Sequence, residues 1–157
     1  MSAHGLGRVP ALIPVVVATF AFQACGNGSA HAQAPDPCTL LTSAQATKDL
    51  AEPVTCKRTV GTIPFSTVGT YGARGTTPPP LVVDILAGPN RDSSLSSWQR
   101  TRIDAHDAYW TTQPGGHVIY MVAQTRMWVV SIQLTGPEPT EATAEAGMTT
   151  LLQRLVL

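Results

Sequence analysis

The stretch that decides the fold is MWVVSIQLT, residues 127–135. Large apolar side chains recur at every second position from Trp128 to Leu134, while Ser131 and Gln133 occupy positions between them. This alternation is typical of a strand that packs one face on a core and turns the other to water. The stretch therefore predicts a strand of an antiparallel sheet that is covered on one face.

The segments before this strand extend the sheet. Residues 114–116 read Pro-Gly-Gly, which is a strong turn signal between two apolar runs. A second tight turn near Thr125 separates the last two strands. Similar turn and loop signals divide the earlier chain, and the remaining strands are predicted at residues 54–60, 68–74, 81–87, 108–112 and 117–124.

Two helices flank these strands. Residues 42–45 read Thr-Ser-Ala-Gln, a capping box in which the threonine hydroxyl and the glutamine amide satisfy each other's backbone donors. The helix that follows is predicted to end near Leu50, before Pro53. A last helix is predicted from Thr140, because apolar side chains recur at helical spacing as far as Leu155.

A middle helix is predicted from Asp92 or Ser93, with Leu95, Trp98 and Arg102 or Ile103 along one stripe. Trp98 is expected to anchor this helix in the core. The predicted order is therefore α-βββ-α-βββ-α. Because the strands outnumber the helices and meet through short turns, we expect an α+β domain with helices packed on an antiparallel sheet.

The amino terminus, residues 1–24, has the features of a bacterial export signal. The run from Val9 to Phe22 carries no charge and is too short to cross a bilayer as a helix. It ends in Ala-Phe-Gln-Ala-Cys, residues 21–25, which resembles the lipobox of bacterial lipoproteins. That resemblance implies that Cys25 is lipidated and becomes the first residue of the mature chain. The alternative is an ordinary secretory cleavage after Ala32.

The cysteine count supports the lipobox interpretation. The chain has three cysteines, an odd number for an exported protein. If Cys25 carries the lipid, Cys38 and Cys56 remain as a pair in an oxidising compartment. A disulfide between them would contribute about 3 kcal/mol in the chain-entropy model. A metal site on these thiols is disfavoured, because the sequence lacks C-x-x-C spacing.

Composition limits the function further. The chain has ten basic and ten acidic residues and no basic run, which argues against nucleic-acid binding. Residues 25–35 are small or polar and are interpreted as a flexible tether. Residues 36–157 then form one extracytoplasmic domain of ordinary size. We expect it on the outer side of the cell membrane, attached through the lipid.

Several residues resemble a known family. Pro-Cys-Thr-Leu-Leu-Thr at residues 37–42, the later Cys56, and Asp-Ala-Tyr-Trp at residues 107–110 are similar to small actinobacterial lipoproteins, of mycobacterial type, of unknown function. The resemblance implies a domain related to the extracellular sensor domains of some membrane kinases and to Mog1/PsbP-like α+β folds. Two departures are Lys57, where an aromatic is expected, and Ala-His at residues 105–106. The resemblance implies fold and location, and it assigns no enzymatic activity.

One group of residues suggests chemistry. Asp104, His106 and Asp107 lie close in sequence, and His117 is predicted across the Pro-Gly-Gly hairpin. Together they would supply carboxylates and imidazoles for a metal or for acid–base work, as in an envelope hydrolase or a metal-binding protein. The structural alternative is a polar connection built from turn and cap residues. No nucleophile motif accompanies the group, so we expect a protein that is not an enzyme and has no cofactor.

The remaining hypothesis is a binding or scaffold domain. Aromatic side chains on the sheet would line a groove. Because alternate aromatics must face the core, we expect Trp110 or Tyr109 to be exposed in it, near the loop at residues 75–80. The expected partner is a small apolar or glycan ligand, or another envelope protein. A polar pocket with convergent His and Asp would instead favour catalysis.

Overall fold

A computed structural model describes residues 33–63, 65–88 and 93–155. The predicted export signal, the lipidation of Cys25 and the alternative cleavage after Ala32 lie outside these residues. Within them, no helix is long and apolar enough to span a membrane. The predicted α+β class is confirmed, because a single antiparallel sheet packs against three helices in the described chain.

The sheet has seven described strands in the spatial order β1-β2-β3-β7-β6-β5-β4. Every neighbouring pair is antiparallel. Two meanders, β1 to β3 and β4 to β7, therefore join where β3 pairs with β7. The strands are β1 Thr55–Val60, β2 Ser66–Gly72, β3 Leu81–Ala87, β4 Gln99–Ile103, β5 His106–Thr112, β6 Val118–Gln124 and β7 Trp128–Thr135.

The alternation in β7 separates the two faces of the sheet as predicted. Its buried residues alternate with half-buried ones along the whole strand, and Val130 and Ile132 are almost completely buried. We call the face that these residues share the helix face, and the opposite one the outer face. The helix face continues through the strands beside β7, where its members include Tyr71, Val83, Ile85, Met121, Ala123 and Ala108.

Three helices complete the core on the helix face. They are α1 Pro37–Leu40, α2 Ser43–Leu50 and α3 Glu141–Leu155. The capping box is confirmed in part: the Thr42 hydroxyl accepts a hydrogen bond from the Gln45 backbone N–H at 3.3 Å. The Gln45 amide, however, donates to the Asp49 carboxylate at 3.0 Å.

The predicted middle helix is wrong. Residues Ser93–Ser97 form only a short 3-10 turn, and Gln99–Ile103 form strand β4, which pairs with β5. Trp98 does not enter the core as a helix anchor; its ring lies 6.3 Å from that of Tyr120, a residue of the outer face. The observed order among described residues is therefore two helices, three strands, a 3-10 turn, four strands and a helix.

The predicted disulfide is confirmed. The Sγ atoms of Cys38 and Cys56 lie 1.99 Å apart and join α1 to the edge strand β1. Tyr71 reinforces this corner from β2, since its buried hydroxyl lies 2.7 Å from the Leu41 carbonyl oxygen. Gly69 leaves the space that this packing needs: a Cβ there would lie 2.9 Å from the Pro37 side chain.

Candidate functional site

The two aromatic residues, of which the sequence predicts at least one in an exposed groove, lie on opposite faces of β5. Trp110 packs against the core on the helix face, and Tyr109 is half-buried on the outer face. The loop at residues 75–80 joins β2 to β3, and three strand spacings separate β3 from β5, or about 14 Å. The structure therefore does not bring Tyr109, Trp110 and this loop into one groove.

The Asp and His residues are also divided. Asp104 and His106 lie at the β4–β5 turn, whereas His117 lies in the β5–β6 hairpin at the other end of β5. The length of β5 separates these ends by about 20 Å. Asp107 is exposed and pairs with Arg100 at 2.9 Å, and this hydrogen bond lowers the pKa of the carboxyl. In the described ranges, no group of three or more His, Cys, Asp or Glu residues is arranged to hold a metal.

A concave surface lies instead where β1 and β2 meet the loop before β3. It encloses about 550 Å³. Two of its described lining side chains are cationic, Lys57 and Arg74, and none is acidic. We call it the Lys57–Arg74 pocket; its lining residues are Thr55, Lys57, Thr70, Gly72, Ala73, Arg74, Gly75, Thr76 and Pro79.

The hairpin register explains how this pocket forms. Thr55 pairs with Gly72, and Lys57 pairs with Thr70, so the four residues lie on neighbouring strands near one end of the sheet. Since Cys56 faces the helices, the alternation of β1 places Lys57 on the outer face. A Cβ at Gly72 would lie 3.2 Å from the Pro80 ring, so glycine lets the loop approach the strand closely.

The polar groups of the pocket are held in place by the backbone. The Thr55 hydroxyl donates to the Gly72 carbonyl oxygen, and the Thr70 hydroxyl donates to that of Lys57, both at 3.2 Å. Each hydroxyl keeps lone pairs that can accept a further hydrogen bond. Among the described residues, the two salt bridges involve Arg58 and Arg100, and neither includes Lys57 or Arg74. The pocket therefore presents positive charge without a carboxylate partner.

Two other features carry carboxyl groups, in contrast to the cationic Lys57–Arg74 pocket. A smaller hollow of about 300 Å³ lies between the end of α2 and the chain before α3, and its lining includes Asp49, Glu52 and Glu138. Asp84 lies in the middle of the outer face, between Val68 and Ser131 on the adjoining strands. Burial raises the pKa of Asp84, although its carboxylate accepts a hydrogen bond from the Ile85 backbone N–H.

The sequence reasoning missed Lys57 and Arg74 as site residues. A signal was present for Lys57, because the strand period places it on the face opposite Cys56, and because it stands where the family resemblance leads one to expect an aromatic. Arg74 carried no such signal, since its position depends on the path of the loop after β2. Comparisons of the chain with protein-family models, with curated proteins and with solved structures found no match.

Proposed function

We propose that this chain is a lipoprotein of the outer side of the cell membrane, attached through Cys25, whose domain binds an anionic ligand in the Lys57–Arg74 pocket. The observation that carries the proposal is the pocket's composition, two cations and three threonines with no acidic side chain. Cations of this kind, flanked by hydroxyl groups, suit a carboxylate or phosphate on a polar molecule, such as an acidic glycan.

Support for the anchor comes from the sequence and from the cysteine pairing. The Cys38–Cys56 disulfide indicates an oxidising compartment. It also leaves Cys25 as the unpaired third cysteine of the chain's sequence, at the position that resembles a lipobox. The resemblance to small actinobacterial lipoproteins, resting on residues 37–42 and 107–110, supports the same location.

The alternative hydrolase or metal-binding function has less support. It requires Asp104, His106, Asp107 and His117 to converge, and His117 lies at the far end of β5 from the other three. Asp107 is in addition engaged by Arg100. No described geometry favours this alternative over binding.

The binding proposal is tested by isothermal titration calorimetry on the full-length chain in detergent, with sodium phosphate and sodium glucuronate as separate probes. We expect saturable binding of at least one probe that weakens as salt is added, because an exposed charge pair is screened. The double variant Lys57→Ala/Arg74→Ala should lose it. Lys48→Ala, which removes an exposed cation on α2, should keep it.

Binding that is absent, or equal in both variants, would refute the assignment of the pocket. The anchor is tested separately, by mass spectrometry of the mature amino terminus. A diacylglyceryl group on Cys25 is expected, and an unmodified chain beginning at Gln33 would refute lipidation.

A further inference from the structure

Four large apolar side chains are exposed at one end of the sheet. Val60, Ile63, Phe65 and Met127 expose 80%, 52%, 52% and 58% of their surface, respectively. The first three belong to the β1–β2 hairpin, and the fourth belongs to the β6–β7 hairpin. We call this set the apolar tip.

The two hairpins that carry the apolar tip are joined through the backbone at the end of β3. The Ala87 N–H donates to the Phe65 carbonyl oxygen at 3.4 Å, and the next N–H, of Gly88, donates to that of Met127 at 2.8 Å. The end of β3 therefore ties the two hairpins together. Three strand spacings, about 14 Å, separate β1 from β7, so the four side chains are spread along one end of the sheet.

The backbone conformation at Phe65 is unfavourable for a bulky residue. Phe65 has a φ of 65°, in the left-handed region that bulky side chains rarely adopt. Such conformations cost free energy and persist only where the surrounding structure holds them. They are common at binding and switch sites. Phe65 is 52% exposed, so this turn directs about half of the side-chain surface to solvent.

The chain enters the domain at this same end. The Thr67 hydroxyl donates to the Ala34 carbonyl oxygen at 3.2 Å, and Thr67 is the residue that pairs with Val60. From Cys25 to Ala34 the chain spans at most about 30 Å when fully extended. A lipid on Cys25 would thus be attached to the chain that enters the domain at this end of the sheet, within about 30 Å of it.

We propose that the apolar tip inserts into the interfacial layer of the phospholipid bilayer to which Cys25 is anchored. This inference rests on the proposed lipidation. Apolar side chains on hairpin tips, next to the exposed cation Arg126, suit a surface with an apolar interior and polar headgroups. The Lys57–Arg74 pocket, near the other end of β1, then faces away from the membrane.

The test is photolabelling of the mature chain, purified from the envelope. It is reconstituted in vesicles of phosphatidylcholine and phosphatidylglycerol that contain a lipid with a diazirine in its acyl chain. We expect label on residues 60–65 and 127, and none on the loops at residues 75–79 and 113–117 at the opposite end. Equal labelling of both ends, or no label on the tip, would overturn the proposal.

The variant Ile63→Gln/Phe65→Gln/Met127→Gln provides the second arm. Its tip label, normalised to the amount of chain bound to the vesicles, should fall on the order of tenfold, since each removed side chain loses apolar burial. A Thr112→Ser/Pro114→Ser variant, altered only at exposed positions at the far end of the sheet, should label as the parent does. Equal urea midpoints of unfolding for the parent and for both variants would show that the substitutions leave the fold intact.

Failure of the anchor is distinguishable from failure of the tip. If Cys25 carries no lipid, its amino-terminal peptide lacks the diacylglyceryl mass and the purified chain does not float with vesicles. If Cys25 is lipidated and the chain floats, a tip without label refutes membrane insertion alone.

Discussion

The Tyr71 hydroxyl should contribute more to stability than any exposed phenol of this chain. Tyr71 is completely buried, and its hydroxyl lies 2.9 Å from the Pro37 carbonyl oxygen and 2.7 Å from that of Leu41. Burial, and secondarily the charge of Asp36, raises the pKa of Tyr71. The phenol therefore stays protonated and remains a donor across the working pH range.

The substitution Tyr71→Phe removes this donor and keeps the ring. The Pro37 carbonyl oxygen still accepts from the Leu41 N–H at 2.8 Å, so the loss falls mainly on the Leu41 carbonyl. A buried polar group left without its partner costs about 1–3 kcal/mol. Because one of the two acceptors keeps a bond, we expect the free energy of unfolding to fall by about 1–2 kcal/mol.

Urea denaturation, followed by tryptophan fluorescence with the disulfide intact, measures this change. Tyr120→Phe is the matched control, since its exposed hydroxyl receives one hydrogen bond from the Gln113 amide. That control should change the free energy of unfolding by less than about 0.5 kcal/mol. Equal stabilities of the two variants would refute the role assigned to the buried hydroxyl.

Four further predictions concern stability. Asp84→Asn should raise the free energy of unfolding at pH 7 and leave it unchanged at pH 3. Burial raises the pKa of Asp84 in the folded state, so the carboxyl lowers the stability of the parent as the pH rises above its unfolded pKa of about 4. The neutral asparagine removes this loss. A urea series against pH checks this, and an equal gain at both pH values would contradict it. Cys38→Ser/Cys56→Ser should lower the free energy of unfolding by about 3 kcal/mol, because the cross-link closes a short loop; a variant as stable as the oxidised parent would be evidence against it. Gly69→Ala should cost about 1–3 kcal/mol by overpacking. Gly147→Ala, whose Cβ would lie 3.3 Å from a terminal methyl of Ile132, should instead stabilise α3 by up to about 1 kcal/mol in thermal melts.

The sequence predicted the strands whose side chains alternate clearly. β7 and β3 agree with their predicted bounds to within a residue, because both are buried on one face along their whole length. The α2 helix was readable from its capping box and from the proline after it. These are local signals, and they need no knowledge of the neighbours in space.

The same reasoning failed at residues 99–103, where Gln-Arg-Thr-Arg-Ile became an edge strand. Serines at a helix-start position and the spacing of three between Leu95 and Trp98 fitted a helix as well as they fitted the observed turn and strand. Pairing with β5 decided the outcome, and that partner is not visible locally. Long-range pairing of this kind overrides weak local preference.

The candidate site was less predictable than the fold. Tyr109 and Trp110 are adjacent, and strand alternation alone separates them to opposite faces. Lys57 and Arg74 line the same pocket because of the β1–β2 register and the path of the loop before β3. Neither the register nor the loop path follows from composition or from spacing along the chain.

The cross-link between α1 and β1 has a mechanical consequence. A pull applied at the amino end of the domain reaches Cys38 first and can pass directly through the sulfur atoms to Cys56 in β1. The α2 helix lies within the closed loop between these cysteines, so it is shielded from the load. Tension would instead shear the β1–β2 ladder, whose hydrogen bonds share the force. If the disulfide were reduced, the load would reach α2, and this helix would unfold at a lower force than the oxidised domain withstands.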